Sequence, residues 1–422
     1  MNIKITDKKI INLLLLTTAL LFPLFSVDFL RFNIIFDDAH ISPPMITIGI
    51  IIMMFFLRIL MQKKIKKTNI FKNRYWKILF YLIITFFLLH VMGLFRSSSH
   101  LIAISIITKL TMGIAAFLCI ILFFPSDKKT IKKFWVIIVW SSTALLLFLI
   151  YKYAFVFKST YLSSQLDYAT RVGRNQLAWY LIFVFPPALC YFWCSSKRKK
   201  IIKFIPLFVI TISIIYSCSR STWVSIVVSL FFFLMVAKKN KKYERKNNII
   251  FLLLMSLLVL TSYWGLTKVI NNVEISQRVT SLLSTNEVSR LHSYDTRSSL
   301  LKNGINYFIN RPILGIGLGN SEEKLGRPTH NDYLNIFLEM GFLCGVCFIG
   351  ILISIIKITK LNHLSHYKTK KLSWTSTSGR MTLVALCVSL FFINAYTTLL
   401  FWIFLGLILK MTESEKKYFK IS

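Results

Sequence analysis

The sequence predicts an all-α, polytopic membrane bundle of about twelve transmembrane helices. Three observations predict it: apolar composition, apolar runs of spanning length, and basic residues confined to alternate connections. The chain of 422 residues is 55% hydrophobic and only 16% charged, with mean hydropathy +0.63. Soluble domains carry nearer a quarter charged residues. About twenty apolar residues make a helix long enough to cross the hydrocarbon core.

The runs are Ile10–Val27, Pro43–Leu60, Ile78–Leu94, Leu101–Phe124, Phe134–Phe157, Gln176–Cys194, Ile202–Ser217, Ser221–Ala237, Ile249–Leu266, Tyr333–Ile356, Met381–Asn394 and Thr397–Lys410. The last two are short enough to form one re-entrant hairpin. No alternating strand pattern of the outer-membrane barrel type is present. The first run is read as a retained helix, because Phe25-Ser-Val-Asp-Phe29 offers no small-residue cleavage site. The whole of 1–422 reads as one integral membrane domain.

The net charge of +36 excludes little until its distribution is considered. Lysine and arginine fill every second connection, as in Lys63–Lys77, Lys128–Lys133, Lys197–Lys203, Lys238–Lys246 and Lys357–Arg380, and then the tail. Translocating such residues is disfavoured, so these connections and both termini are expected to be cytoplasmic. They are topogenic and meet lipid headgroups. No basic stripe falls on a separate domain, which argues against nucleic acid as a partner. The seven cysteines lie in or beside membrane runs, so no disulfide framework is expected. Cys344-Gly-Val-Cys347 fits the redox spacing but lies within an apolar run, and reads as packing.

One outward connection, 268–329, is far longer than the usual few residues between packed helices, and long loops on rigid scaffolds carry function. Within it, Asp295–Ile309 reads as an amphipathic helix with Leu300, Leu301, Gly304, Ile305, Phe308 and Ile309 on one face. Asp295 fits the N-cap, which puts Arg297 in the first turn. Helix-end N–H groups beside a guanidinium suit a phosphate; an ordinary surface ion pair is the alternative. Gly315, Gly317 and Gly319 in Ile313–Asn320 permit close backbone approach, either to a ligand or in a packing turn. They lack the dinucleotide-binding spacing.

Thr329 and Asp332 then suggest a capping box, with His330 at the first helical position. There the helix dipole disfavours the imidazolium, so His330 is a candidate general base, or else an interfacial histidine that only hydrogen-bonds. Arg220, between two apolar runs, must pair, snorkel or serve a site. Arg171 and Arg174 precede a run on the same side. Four arginines and a histidine, without a cluster of metal ligands, suit a multiply charged phosphate bound without metal or other cofactor.

Taken in order, these pieces resemble the O-antigen ligase/polymerase superfamily of membrane glycosyltransferases. Four segments carry the resemblance: Arg171-Val-Gly-Arg-Asn-Gln176; Ser219-Arg-Ser-Thr-Trp223; Arg297 with Asn310–Asn320; and Thr329-His-Asn-Asp-Tyr-Leu334. The His-Asn pair is followed after nine residues by Gly341, as in ligases; Cys344 stands where the pattern has a small residue or tyrosine, with Gly345 next to it. The resemblance implies a GT-C-like, metal-independent transferase of the bacterial inner membrane, its active site facing the periplasm. The donor would be a glycan on undecaprenyl diphosphate, and the acceptor a sugar hydroxyl of lipid A–core. His330 would be the base, with Arg297 and Arg220, and one of Arg171 and Arg174, holding the diphosphate. A polymerase joining lipid-linked repeat units is the alternative. A polysaccharide transporter or flippase fits less well, because the charges cluster at one face rather than at mid-membrane depth.

Overall fold

The computed structural model describes residues 17–18, 20–21, 30–32, 39–41, 73–124, 127–151, 174–195, 200–217, 219–238, 296–326, 329–364 and 374–413. Two three-residue strands, β1 (Leu30–Phe32) and β2 (Ala39–Ile41), pair antiparallel with Arg31 opposite His40. The other described elements are helical, in keeping with the all-α reading. The helices are α1 (Arg74–Leu94), α2 (His100–Phe123), α3 (Lys128–Tyr151), α4 (Arg174–Trp193), α5 (Lys200–Tyr216) and α6 (Arg220–Lys238). They continue as α7 (Thr296–Asn310), α8 (Asn320–Leu325), α9 (Asp332–Leu364), α10 (Trp374–Ser389) and α11 (Leu399–Glu413). Helices thus occupy the apolar runs from Ile78 onward, except Ile249–Leu266. That run and Pro43–Leu60 lie outside the described residues.

Among the described residues, four helices are long and apolar enough to cross a membrane: Arg74–Leu94, His100–Leu122, Lys128–Tyr151 and Asp332–Lys360. α10 and α11 are shorter, pack against each other, and are almost wholly buried. Trp402 centres the core. Gly113 of α2 leaves room for its indole, Phe86 and Phe117 flank it, and its Nε1 donates to the Tyr396 carbonyl at 2.8 Å. Several hydroxyls inside the bundle return to their own helix, while Ser229 of α6 reaches across to the Met381 carbonyl of α10 at 3.2 Å. Thr143 donates to the Val139 carbonyl at 2.7 Å, and Ser213 to that of Val209 at 2.8 Å. A hydroxyl satisfied in this way can be buried in lipid or protein without cost in unpaired groups.

Helix pairings fix which ends lie together. Tyr191 near the end of α4 meets Trp374 at the start of α10, with ring centroids 6.1 Å apart. The Arg380 guanidinium of α10 lies 5.2 Å from the ring of Phe232, late in α6. So α4 and α6 begin at the end where α10 finishes. At the opposite end, Lys203 covers the Tyr191 ring at 4.3 Å and Lys357 the Tyr75 ring at 5.5 Å. Lys203 and Lys357, which flank two of the basic connections, therefore lie at the same end of the bundle.

Candidate active site

The other end is built around the start of α9. Asn331 is the N-cap: its Oδ1 accepts from the Leu334 N–H at 3.0 Å, and its carbonyl accepts from the Asn335 N–H at 2.9 Å. This corrects the expected capping box. Thr329 does not cap the helix; its hydroxyl reaches the Asn331 carbonyl and Asn335 Oδ1, both at 3.3 Å. Asp332 does not turn back to the chain before it. Its Oδ2 accepts from Ala395 N at 2.8 Å and Tyr396 N at 3.0 Å, and its own N–H donates to the Leu390 carbonyl at 2.9 Å. Asp332 is fully buried and fastens the turn between α10 and α11 to the head of α9.

His330 consequently stands just before the cap rather than in the first turn. It is exposed, and its φ of 50° makes it the one non-glycine residue with positive φ among those described. A left-handed backbone costs a side-chain-bearing residue about 1–2 kcal/mol. It persists only where neighbouring structure imposes it, commonly at functional sites. Here the Asn331 cap and the Thr329 hydrogen bonds hold both flanks.

α7 runs parallel to the first half of α9. A Cβ on Gly304 would meet Leu334 at 3.0 Å, and the rings of Phe308 and Phe337 are 5.6 Å apart. The first turn of α7, which carries Arg297, is thereby level with the residues around His330. Arg220 opens α6 immediately after Ser219, whose carbonyl accepts from Trp223 N at 3.1 Å. Arg174 opens α4. The helix starts of Arg174, Arg220 and Arg297 are thus at the same end of the bundle as His330. Arg171, Asp295 and most of the 268–329 loop before α7 lie outside the described residues.

The glycine segment answers a break in α9. Gly341 has φ 80° and ψ −177°, which interrupts the helix. The carbonyls of Leu338 and Glu339, which helical partners would otherwise take, accept instead from Ile316 N and Gly317 N, each at 2.9 Å. Across the break, Phe342 N donates to the Pro312 carbonyl at 2.7 Å. A Cβ on Gly317 would fall 2.3 Å from the Arg96 carbonyl, so this glycine allows close approach to protein backbone. Of the two readings open for these glycines, the packing turn describes the contacts they make. Glu339, buried on the same face of α9 as Asp332 and Asn335, accepts from Ser321 N at 3.3 Å and holds the start of α8.

One cation was missed in the sequence. Arg96, in the α1–α2 connection, donates from Nη2 to the carbonyls of Leu314 and Gly315, the latter at 2.8 Å. Burial, and then the charge of Arg311 beside it, pull its guanidinium below the ordinary arginine value. Asn320 completes this lock: its Oδ1 accepts from Ser98 N at 2.9 Å, and its Nδ2 donates to the Ile316 carbonyl at 2.9 Å.

A histidine in a constrained turn, three helix-opening arginines at the same end and a broken helix behind them coincide with a similarity to a known family. Residues 205–349 match the family model described as O-antigen ligase. This stretch of the chain is similar to that family. The match begins within α5 and takes in Arg220, Arg297, the glycine segment, His330 and Gly341. Arg96, Arg174 and the 390–398 turn contribute from outside it. Comparison with curated proteins finds no match. The match supports a function of O-antigen ligase or polymerase type, and the apolar helices place it in a membrane.

Proposed function

We propose that the protein is an O-antigen ligase, transferring polysaccharide from undecaprenyl diphosphate to a sugar hydroxyl of lipid A–core on the periplasmic face of a bacterial inner membrane. The observation that carries this reading is His330: exposed, conformationally constrained, and at the same end of the bundle as three helix-opening arginines. In the reaction, the acceptor oxygen attacks the anomeric carbon of the donor sugar and its proton passes to an imidazole nitrogen of His330. The bond from that carbon to the phosphate oxygen breaks, and undecaprenyl diphosphate leaves. The diphosphate is already a good leaving group; guanidinium groups aimed at its developing charge supply the remaining stabilisation.

A strain lacking the gene tests the reading. Core without polymer, with lipid-linked polymer accumulating, is the expected result. Core bearing a single repeat would instead mark a polymerase, and single lipid-linked units held in the cytoplasmic leaflet a flippase. The polymerase reading draws on Cys344, which departs from the ligase pattern. Its neighbour Gly345 lies under the Phe337 ring, where a Cβ would come within 2.4 Å of the ring, so a local packing requirement accompanies that departure.

The arginines give a second test, by complementation of the same strain. Arg297→Ala is expected to reduce transfer by about 10²–10³-fold, the usual cost of one preorganised charge-stabilising donor. Arg297→Lys should recover little of it, because lysine lacks the bidentate fork. Normal polymer on core with both variants, at equal membrane abundance, would remove Arg297 from the site.

A further inference from the structure

The apolar face predicted for α7 is divided. Leu300, Gly304 and Phe308 turn toward α9, whereas Leu301, Ile305 and Ile309 remain outside. Ile309 is 63% exposed, and Ile313 and Leu314, just beyond the helix, are 76% and 59% exposed. Lys302, Asn303, Asn306 and Asn310 form the remaining exposed face. The apolar edge does not end at Leu314. The hydrogen bond from Phe342 to Pro312 and the seat of Gly341 against Ile313 join it to α9. There Phe342, Leu343, Val346, Ile349, Ile353 and Ile356 are exposed at helical spacing along a helix of spanning length.

From this continuity we infer that the outer edge of α7 and the 313–314 turn are immersed in the acyl chains of the adjoining leaflet, as an extension of the lipid-facing stripe of α9. Apart from the exposed Arg311, whose long side chain can carry its charge to the headgroups, this surface is apolar and continuous with a membrane-spanning face, and so belongs in the same solvent. The polar face, with Lys302 and three asparagines, meets headgroups and water. The segment that sequence alone assigns to an outward loop is therefore partly a membrane element, deepest at Ile313 and shallowest toward Arg297. This holds whichever reaction the site performs.

The experiment places photoreactive benzoylphenylalanine at Ile309, Ile313, Asn303 or Asn306 of the full chain in native membranes. Phospholipid adducts are then read by mass spectrometry after irradiation. Adduct yields several-fold higher at Ile309 and Ile313 than at Asn303 and Asn306 are expected. Equal yields on the two faces, or crosslinks from Ile309 to a second copy of the chain in place of lipid, would overturn the inference. All four side chains are exposed, so the probe displaces no packed neighbour. Should one variant fail to accumulate, Leu314 tests the same edge.

Discussion

His330→Gln is expected to lower glycan transfer by about 10²–10⁴-fold, the usual contribution of a positioned general base. Glutamine can hydrogen-bond to an acceptor hydroxyl but cannot take its proton. The backbone supplies a control that a surface histidine would not. At φ 50° a glycine is more comfortable than histidine, and asparagine tolerates the conformation well. His330→Gly should therefore be as stable as the parent or more stable, by up to about 1 kcal/mol, yet inactive. His330→Asn should keep the turn and fail likewise. Thermal unfolding in detergent, run beside transfer assays, separates the two effects. Acidification should slow the parent, because a protonated imidazole has no lone pair to offer. If the glutamine variant transfers at the parental rate, His330 only positions the acceptor or the turn. Asp332 would then be a poor substitute as base, since both N–H groups it holds come from the 395–396 backbone and it is fully buried.

Much of the bundle is legible in the sequence because lipid permits few solutions. A run of apolar residues must be helical to satisfy its backbone, and lysines report which end stays behind. Local pattern fails where a distant segment makes the choice. Thr329 and Asn331 are both competent caps, and the order Thr-His-Asn-Asp does not rank them. Asp332 is drawn away by N–H groups 63 and 64 residues further on, which leaves Asn331 to cap the helix. Arg96 sits among serines like any interfacial cation; the carbonyls it serves lie 218 and 219 residues away. The glycines announce close approach but not its object. The α7 pattern yields one apolar face, and only the position of α9 shows that half of that face is left for lipid. The sequence puts Arg174 before an apolar run, Arg220 between two runs and Arg297 in a first turn; that they open helices sharing an end with His330 follows only from the antiparallel and parallel packing of those helices.

Gly341→Ala should remove most folded protein from the membrane, and with it all transfer. The sequence hides this position within the uninterrupted run Tyr333–Ile356. With φ 80° and ψ −177°, Gly341 occupies a region open essentially to glycine alone. An alanine Cβ there would lie 2.2 Å from the Ile313 carbonyl oxygen and 2.9 Å from Gly315 N, both backbone atoms that cannot swing aside. The chain could escape by straightening α9, but the helix would then reclaim the carbonyls of Leu338 and Glu339. Ile316 N, Gly317 N and the Pro312 carbonyl would lose the partners they have at the break. Each buried polar group left unpaired costs about 1–3 kcal/mol, so three of them rival the whole stability of many domains. Gly326→Ala is the matched control. Its φ of 72° is equally left-handed, but nothing lies within 4 Å of the added Cβ, so only the backbone cost of about 1–2 kcal/mol applies. Membrane abundance and thermal unfolding of the two variants make the comparison. A Gly341→Ala protein as abundant and as stable as Gly326→Ala would mean that the break is not held by the glycine segment. The 311–319 stretch would then have to owe its conformation to Arg96 and Asn320 alone.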